Sequence, residues 1–191
     1  MYYTFIRDSG INPQLHETMR FILVENENTK ELNNKNDVCI CVNKQNNKQG
    51  EIQKLKQKYK YIACNSKNMS DINFWITKKI DFIINPFDDK ARYFDENMIN
   101  VIRQNNIVPI FCLDEFKHYN KMQTAYFLKN AYLFANICIE KRLTVLIDSF
   151  GSANKKTNIR QELANYKPFG FTQEQGKMFN RMVFEYDEEK I

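Results

Sequence analysis

Short apolar runs alternate with amphipathic segments along this chain, and that alternation constrains the fold more than any other feature. The runs are Tyr2–Ile6, Val38–Val42, Tyr61–Cys64, Phe82–Ile84, Val108–Leu113 and Thr144–Ile147. Each is rich in Val, Ile, Phe or Tyr, the composition of strands buried on both faces. Between them, Asn12 can cap a helix with Pro13 at its first position and Leu15, Met19, Ile22 and Leu23 on one face. Ile52, Leu55 and Tyr59 repeat at helical spacing, as do Ile72, Trp75 and Ile76 behind a cap at Ser70. Phe94, Met98, Val101 and Ile102 form the next stripe, with Asp95 and Glu96 in the first turn, where the helix dipole favours carboxylates. The segment from Lys121 to Lys141 is apolar almost all round (Ala125, Tyr126, Leu128, Ala131, Leu133, Phe134, Ile137), which predicts cover on more than one side.

Strand–helix alternation of this kind predicts an α/β fold of parallel strands wrapped by helices. Periodicity is equally compatible with an open sheet and a closed barrel. The expected organisation is one domain over residues 1–184 and a solvated acidic tail over 185–191, with Glu25–Asp37 as a loop. With 191 residues, 43% of them hydrophobic and including 15 Phe and 10 Tyr, the chain can bury a sizeable core and is not a disordered tail. Only 5 Gly and 4 Pro argue against a sandwich of many tight turns.

No apolar stretch reaches the roughly 20 residues that span a bilayer. The start turns polar at Arg7-Asp8, too soon for a secretory signal, so no membrane association is expected. Cys39, Cys41, Cys64, Cys112 and Cys138 all lie in apolar runs, and an odd number of buried thiols predicts a reducing, intracellular setting. Cys39 and Cys41 fall on one face of a strand, but no second pair at ligand spacing accompanies them, so core packing explains them better than a metal.

The net charge of +5 leans toward anionic partners and is unevenly spread. Residues 30–80 carry 11 Lys against 4 acids, and the 51–60 segment reads as a solvated helix face. In 151–167, Lys155, Lys156, Arg160 and Lys167 face a single acid, Glu162. That stretch follows a strand's carboxyl end, where α/β proteins place their sites.

Constellations for catalysis are sparse. The two histidines, His16 and His118, sit far apart in sequence and make no metal-binding pair. Ser149, His118 and Asp148 or Asp114 could be arranged as a triad, but no GxSxG elbow supports it. Neither GxGxxG nor GxxxxGK(S/T) occurs, and Gly151 stands alone in its loop. Asp8, Asp114 and Asp148 each fall at a strand's carboxyl end, where they could supply oxygen ligands to Mg²⁺. The competing role for them is capping the next helices or pairing with Arg7, Arg92 and Arg160.

Two stretches carry a family resemblance. One is Ile80-Asp81-Phe82-Ile83-Ile84-Asn85-Pro86-Phe87 followed by Phe94–Leu113. The other is Tyr132–Leu143 leading into Thr144-Val145-Leu146-Ile147-Asp148-Ser149, with Asn158-Ile159-Arg160 downstream. Their order over about residues 78–180 resembles ribonuclease P protein component 3, the archaeal relative of the eukaryotic thirty-kilodalton subunit. In that family a V-D-x-I-x-x-P strand precedes a helix and a second strand, and a long helix leads to a strand ending in Ser-Ser with an Arg beyond. Here Asp148 replaces the first Ser, and Gln161-Glu162 stands where the family has Pro and Asp.

The resemblance implies a TIM-barrel-like fold related to phosphoesterases of the polymerase-and-histidinol-phosphatase (PHP) type, without their histidine clusters. It also implies a non-catalytic subunit of ribonuclease P, in which the RNA and its Mg²⁺ remove the 5′ leader from precursor tRNA. This chain would then bind no cofactor itself. Its implied partners are the ribonuclease P RNA, precursor tRNA, an RRM-like protein subunit and the other ribonuclease P proteins. The setting would be the nucleus in a eukaryote, with sharing by ribonuclease MRP, or the cytoplasm in an archaeon. The expected RNA contacts are Arg92, Lys117, His118, Ser149, Lys155, Lys156 and Arg160. The alternative is a metal-dependent phosphoesterase of a PHP or amidohydrolase-like barrel, using Asp8, Asp114 and Asp148.

Overall fold

The computed structural model describes residues 5–7, 21–24, 38–42, 52–59, 61–112, 118–148 and 166–177. Seven strands lie side by side in chain order, β1 (Phe5–Arg7), β2 (Phe21–Val24), β3 (Val38–Val42), β4 (Tyr61–Cys64), β5 (Phe82–Ile84), β6 (Val108–Cys112) and β7 (Leu146–Asp148). All neighbouring pairs are parallel. Helices α1 (Ile52–Lys58), α2 (Met69–Thr77), α3 (Glu96–Gln104) and α4 (Lys121–Glu140) follow strands or precede them. Among the described strands the order never reverses, so they form no switch point of the doubly wound kind. Among the described residues, no pairing joins β7 to β1.

Side chains are described from α1 onward, and there the sheet is buried on both faces. Ladder partners share a face, and Ile62, Cys64, Ile83, Phe111 and Ile147 belong to one core cluster with the helix residues Leu55, Trp75, Ile99 and Phe134. The alternate positions Ala63, Phe82, Ile84, Ile110 and Leu146 are also buried, yet lie outside that cluster. This is why the strands read as continuous apolar runs.

Helix boundaries follow local chemistry. α2 is capped by Asn68, whose side chain accepts the Asp71 N–H at 3.1 Å; the expected cap, Ser70, sits inside the helix and donates to Asn68 Oδ1 instead. Asp95 caps α3 by accepting Met98 N–H at 2.7 Å. α4 opens with a capping box between Asn120 and Gln123.

Two expectations are corrected. Ile22 and Leu23 lie on strand β2, not on a helix. Phe21-Ile22-Leu23-Val24 is an unbroken apolar run with no period of its own, and pairing with β1 and β3 decides its state. Cover of the long helix on more than one side is not seen among the described residues: Phe127, Ala131, Phe134, Ala135 and Cys138 are buried on one face, while Met122, Tyr126, Leu128, Tyr132 and Ile139 remain exposed. The Glu25–Asp37 loop, the helix capped by Asn12 and the 185–191 tail lie outside the described residues.

Candidate functional site

In a parallel sheet every strand-to-helix loop leaves from the same end, the end where such folds place their sites. Lys67, the loop 85–94 and His118 therefore share the carboxyl end of the sheet.

Ile84 hands the chain to Asn85, which is fully buried and left-handed at φ 34°. Its main chain continues the ladder by donating to Ile110 O at 3.0 Å. Its side chain grips the end of β6: Nδ2 donates to Cys112 O and Oδ1 accepts Cys112 N–H, both at 2.8 Å. From the loop after β4, Lys67 Nζ donates to Asn85 O at 2.9 Å and to Phe87 O at 3.1 Å.

Asp88 organises the rest of the turn. Its Oδ1 accepts the N–H groups of Lys90 (2.7 Å) and Ala91 (2.8 Å), and its Oδ2 accepts the Tyr93 hydroxyl at 2.8 Å. Burial pushes this carboxyl up, but the Ala91 and Lys90 N–H groups, Tyr93 and the nearby Lys67 charge outweigh it and hold it below its ordinary value. Burial, and then the bond to Asp88, pushes the Tyr93 hydroxyl up to about 12. Helix α4 clamps the other side, with Asn130 Nδ2 donating to Asp88 O and Gln123 Nε2 to Asp89 Oδ2, each at 2.9 Å. Underneath, Phe87 packs against Phe111, Phe127 and Phe134 with ring centroids 5.3–5.9 Å apart.

The result is a rigid loop whose buried groups are spent on holding its shape and whose exposed residues are Lys90 and Arg92. An anion docking there would meet cations on a fixed backbone. Asp88 and Tyr93 have their protonation fixed away from neutrality, so neither is tuned for proton transfer near pH 7.

Of the residues expected from sequence, Arg92 is exposed on this loop and bridges Phe87 through its main chain. His118 is exposed in the turn before α4. Asp148 is the last residue of β7 and pairs with Cys112. Lys117, Ser149, Lys155, Lys156, Arg160, Asp8 and Asp114 lie outside the described residues. Among the described residues no three His, Cys, Asp or Glu are placed to share a metal ion; the trio Asp8, Asp114 and Asp148 is not covered by that statement.

Sequence reasoning missed the clamp formed by Lys67, Asn85, Asp88 and Tyr93. Asn-Pro followed by Asp-Asp is a turn signal, but the partners of Asn85 and Lys67 are distant in sequence. Cys64, Cys112 and Cys138 are buried cysteines outside any disulfide. No described helix is long and apolar enough to cross a membrane.

No family model matches the chain, and no curated protein matches it in sequence. Among solved structures, its fold is similar to that of a chain in the cryo-EM structure of archaeal ribonuclease P with mature tRNA. The two share a TM-score of 0.74 at 8% sequence identity, over 99% of this chain and 92% of the other. At that identity the likeness is one of fold.

Proposed function

We propose that this chain is a protein subunit of ribonuclease P that braces RNA and leaves the chemistry to it. The observation that carries this reading is fold likeness along nearly the whole chain to a component of an archaeal ribonuclease P structure. The order of motifs over residues 78–180 supports the same family independently of the fold. The burial of the second sheet face, which has no helix of the described core cluster on it, supports closure of the sheet into a TIM-like barrel.

In this role the chain holds no cofactor, and Mg²⁺ belongs to the RNA. Lys and Arg at the carboxyl ends of the strands lower phosphate repulsion, so that the catalytic RNA folds at modest Mg²⁺ with salt-dependent affinity. Arg92, Lys90 and His118 are the described candidates, and Lys117, Ser149, Lys155, Lys156 and Arg160 complete the proposed surface. The partners are the RNA, precursor tRNA, an RRM-like subunit and the other protein subunits.

The test is cleavage of precursor tRNA by cognate RNA and partner subunits at limiting Mg²⁺, with and without this chain. Stimulation that falls in an Arg92/Lys155/Lys156/Arg160→Ala variant is the expected result. No stimulation, together with metal-dependent phosphoester hydrolysis by the chain alone, overturns it.

A further inference from the structure

The opposite end of the sheet, where helices return to strands, holds a cavity of about 760 Å³. Three successive returns line it, those entering β5, β6 and β7, and each contributes a cation or an amide: Lys79, Arg103 with Asn106, and Arg142. All three cations are exposed, and among the described residues none has an ion-pair partner. By contrast Lys141, next to Arg142, is bound to Glu96 at 3.0 Å. Among the described lining residues the one acid, Asp81, accepts the Ile62 N–H at 2.8 Å.

The three returns are built alike. One residue past each helix cap the chain turns left-handed, at Lys79 (φ 55°), Asn106 (φ 54°) and Arg142 (φ 54°). Glycine is the usual occupant of that position because it has no Cβ to clash. Two of the three positions here hold long cations at the cavity instead, so charge is kept where the backbone alone favours none.

We propose that this cavity is a second phosphate-binding site, taking the backbone of a single-stranded or looped RNA segment. The cations come from the last turn of α3 and the turns after α2 and α4, and they line a cavity far larger than one phosphate, which suits successive phosphates along a strand. The choice of RNA as the phosphate source rests on the ribonuclease P reading; the site itself rests on the cavity. It lies at the end of the sheet away from Arg92, so the RNA would touch both ends of the strands.

The direct test is binding of a short oligouridylate to the full chain across a salt series, compared with a Lys79→Asn/Arg103→Gln/Arg142→Asn variant. Asn tolerates the left-handed conformation and Gln is a good helix former, so the variant removes charge and keeps the backbone. A thermal melt verifies that it folds. Each phosphate contact in single strands contributes about −0.7 to the slope of log affinity against log salt, so loss of three contacts flattens the slope by roughly 2. A drop in affinity of about tenfold or more at low salt accompanies it, while Lys129→Gln on α4 changes neither. Unchanged affinity and slope in the folded variant overturn the proposal, as does absence of RNA binding by the unaltered chain. Displacement of the RNA by uridine triphosphate at matched phosphate concentration also overturns it, in favour of a small phosphate ligand. In reconstituted ribonuclease P the two readings separate: stimulation by the unaltered chain and equally by the triple variant keeps the subunit role and removes the cavity from it. If the unaltered chain gives no stimulation, the subunit role fails and the oligouridylate result alone decides the cavity.

Discussion

Asn85 and Cys112 are joined by two hydrogen bonds of 2.8 Å, the amide of one acting as a short rung beside the main chain of the other. The bond pair extends the β5–β6 ladder by a side chain at the point where β5 has already turned away. It fixes the loop that displays Arg92.

Removing that rung tests how far the loop depends on it. Asn85→Ala loses both buried bonds, at about 1 kcal/mol each, and places a Cβ-bearing residue without the amide at φ 34°. The expected loss is about 2–3 kcal/mol in urea unfolding, with Asn85→Gly about 1 kcal/mol milder because glycine accepts that conformation.

The Asp88–Tyr93 pair predicts a pH signature at both extremes. Asp88 has its carboxyl held below 3.8, so its contribution is present above that pH and is lost as pH falls through the depressed value. Asp88→Asn is expected to cost about 1–3 kcal/mol at pH 7, with the difference from the parent shrinking below pH 3.8. Tyr93 has its hydroxyl raised from 10.0 to about 12, so its contribution is full below pH 10 and is lost as pH rises through 12. Urea melts of Tyr93→Phe across that range should lack the alkaline loss that the parent shows.

Phe87 sits where the loop meets the core, in contact with three other phenylalanine rings. Phe87→Ala is expected to cost about 3–5 kcal/mol through transfer and cavity terms, measured by denaturant unfolding. Phe87→Leu should cost clearly less.

Gly176 has no room for a side chain. A Cβ there would lie 2.9 Å from the Tyr166 ring, whose hydroxyl accepts the Ile147 N–H at 3.2 Å and so ties this segment to β7. Gly176→Ala is expected to destabilise by about 1–3 kcal/mol as an overpacked site, and hydrogen exchange should report the loss at Ile147 first.

The buried thiols give a chemical check on the core. Burial pushes the Cys138 thiol well above its ordinary value, which disfavours the reactive thiolate. Under native conditions near pH 8, mass spectrometry after alkylation should find Cys64, Cys112 and Cys138 unmodified, with labelling only after denaturant is added.

The strand–helix alternation and the parallel sheet class are legible in the order of residues alone, because strands buried on both faces must be apolar throughout. β3, β4 and β5 appear where their runs of Val, Ile, Phe and Tyr placed them. Helices α1, α2 and α3 likewise follow the spacing of Leu55, Trp75 and Met98. Arg92 was legible as an exposed cation at a strand's carboxyl end. Tertiary structure alone decided the rest. Phe21–Val24 has no period, so only its pairing with two neighbours makes it a strand. Helix α4 is apolar almost all round, and only its docking shows which side is covered. Asn85 and Cys112 are 27 positions apart, and Lys79, Arg103 and Arg142 lie at the ends of three separate helices or just beyond them. Neither grouping leaves a local pattern, because the parallel strands bring these residues together only after each crossover returns to the same end of the sheet.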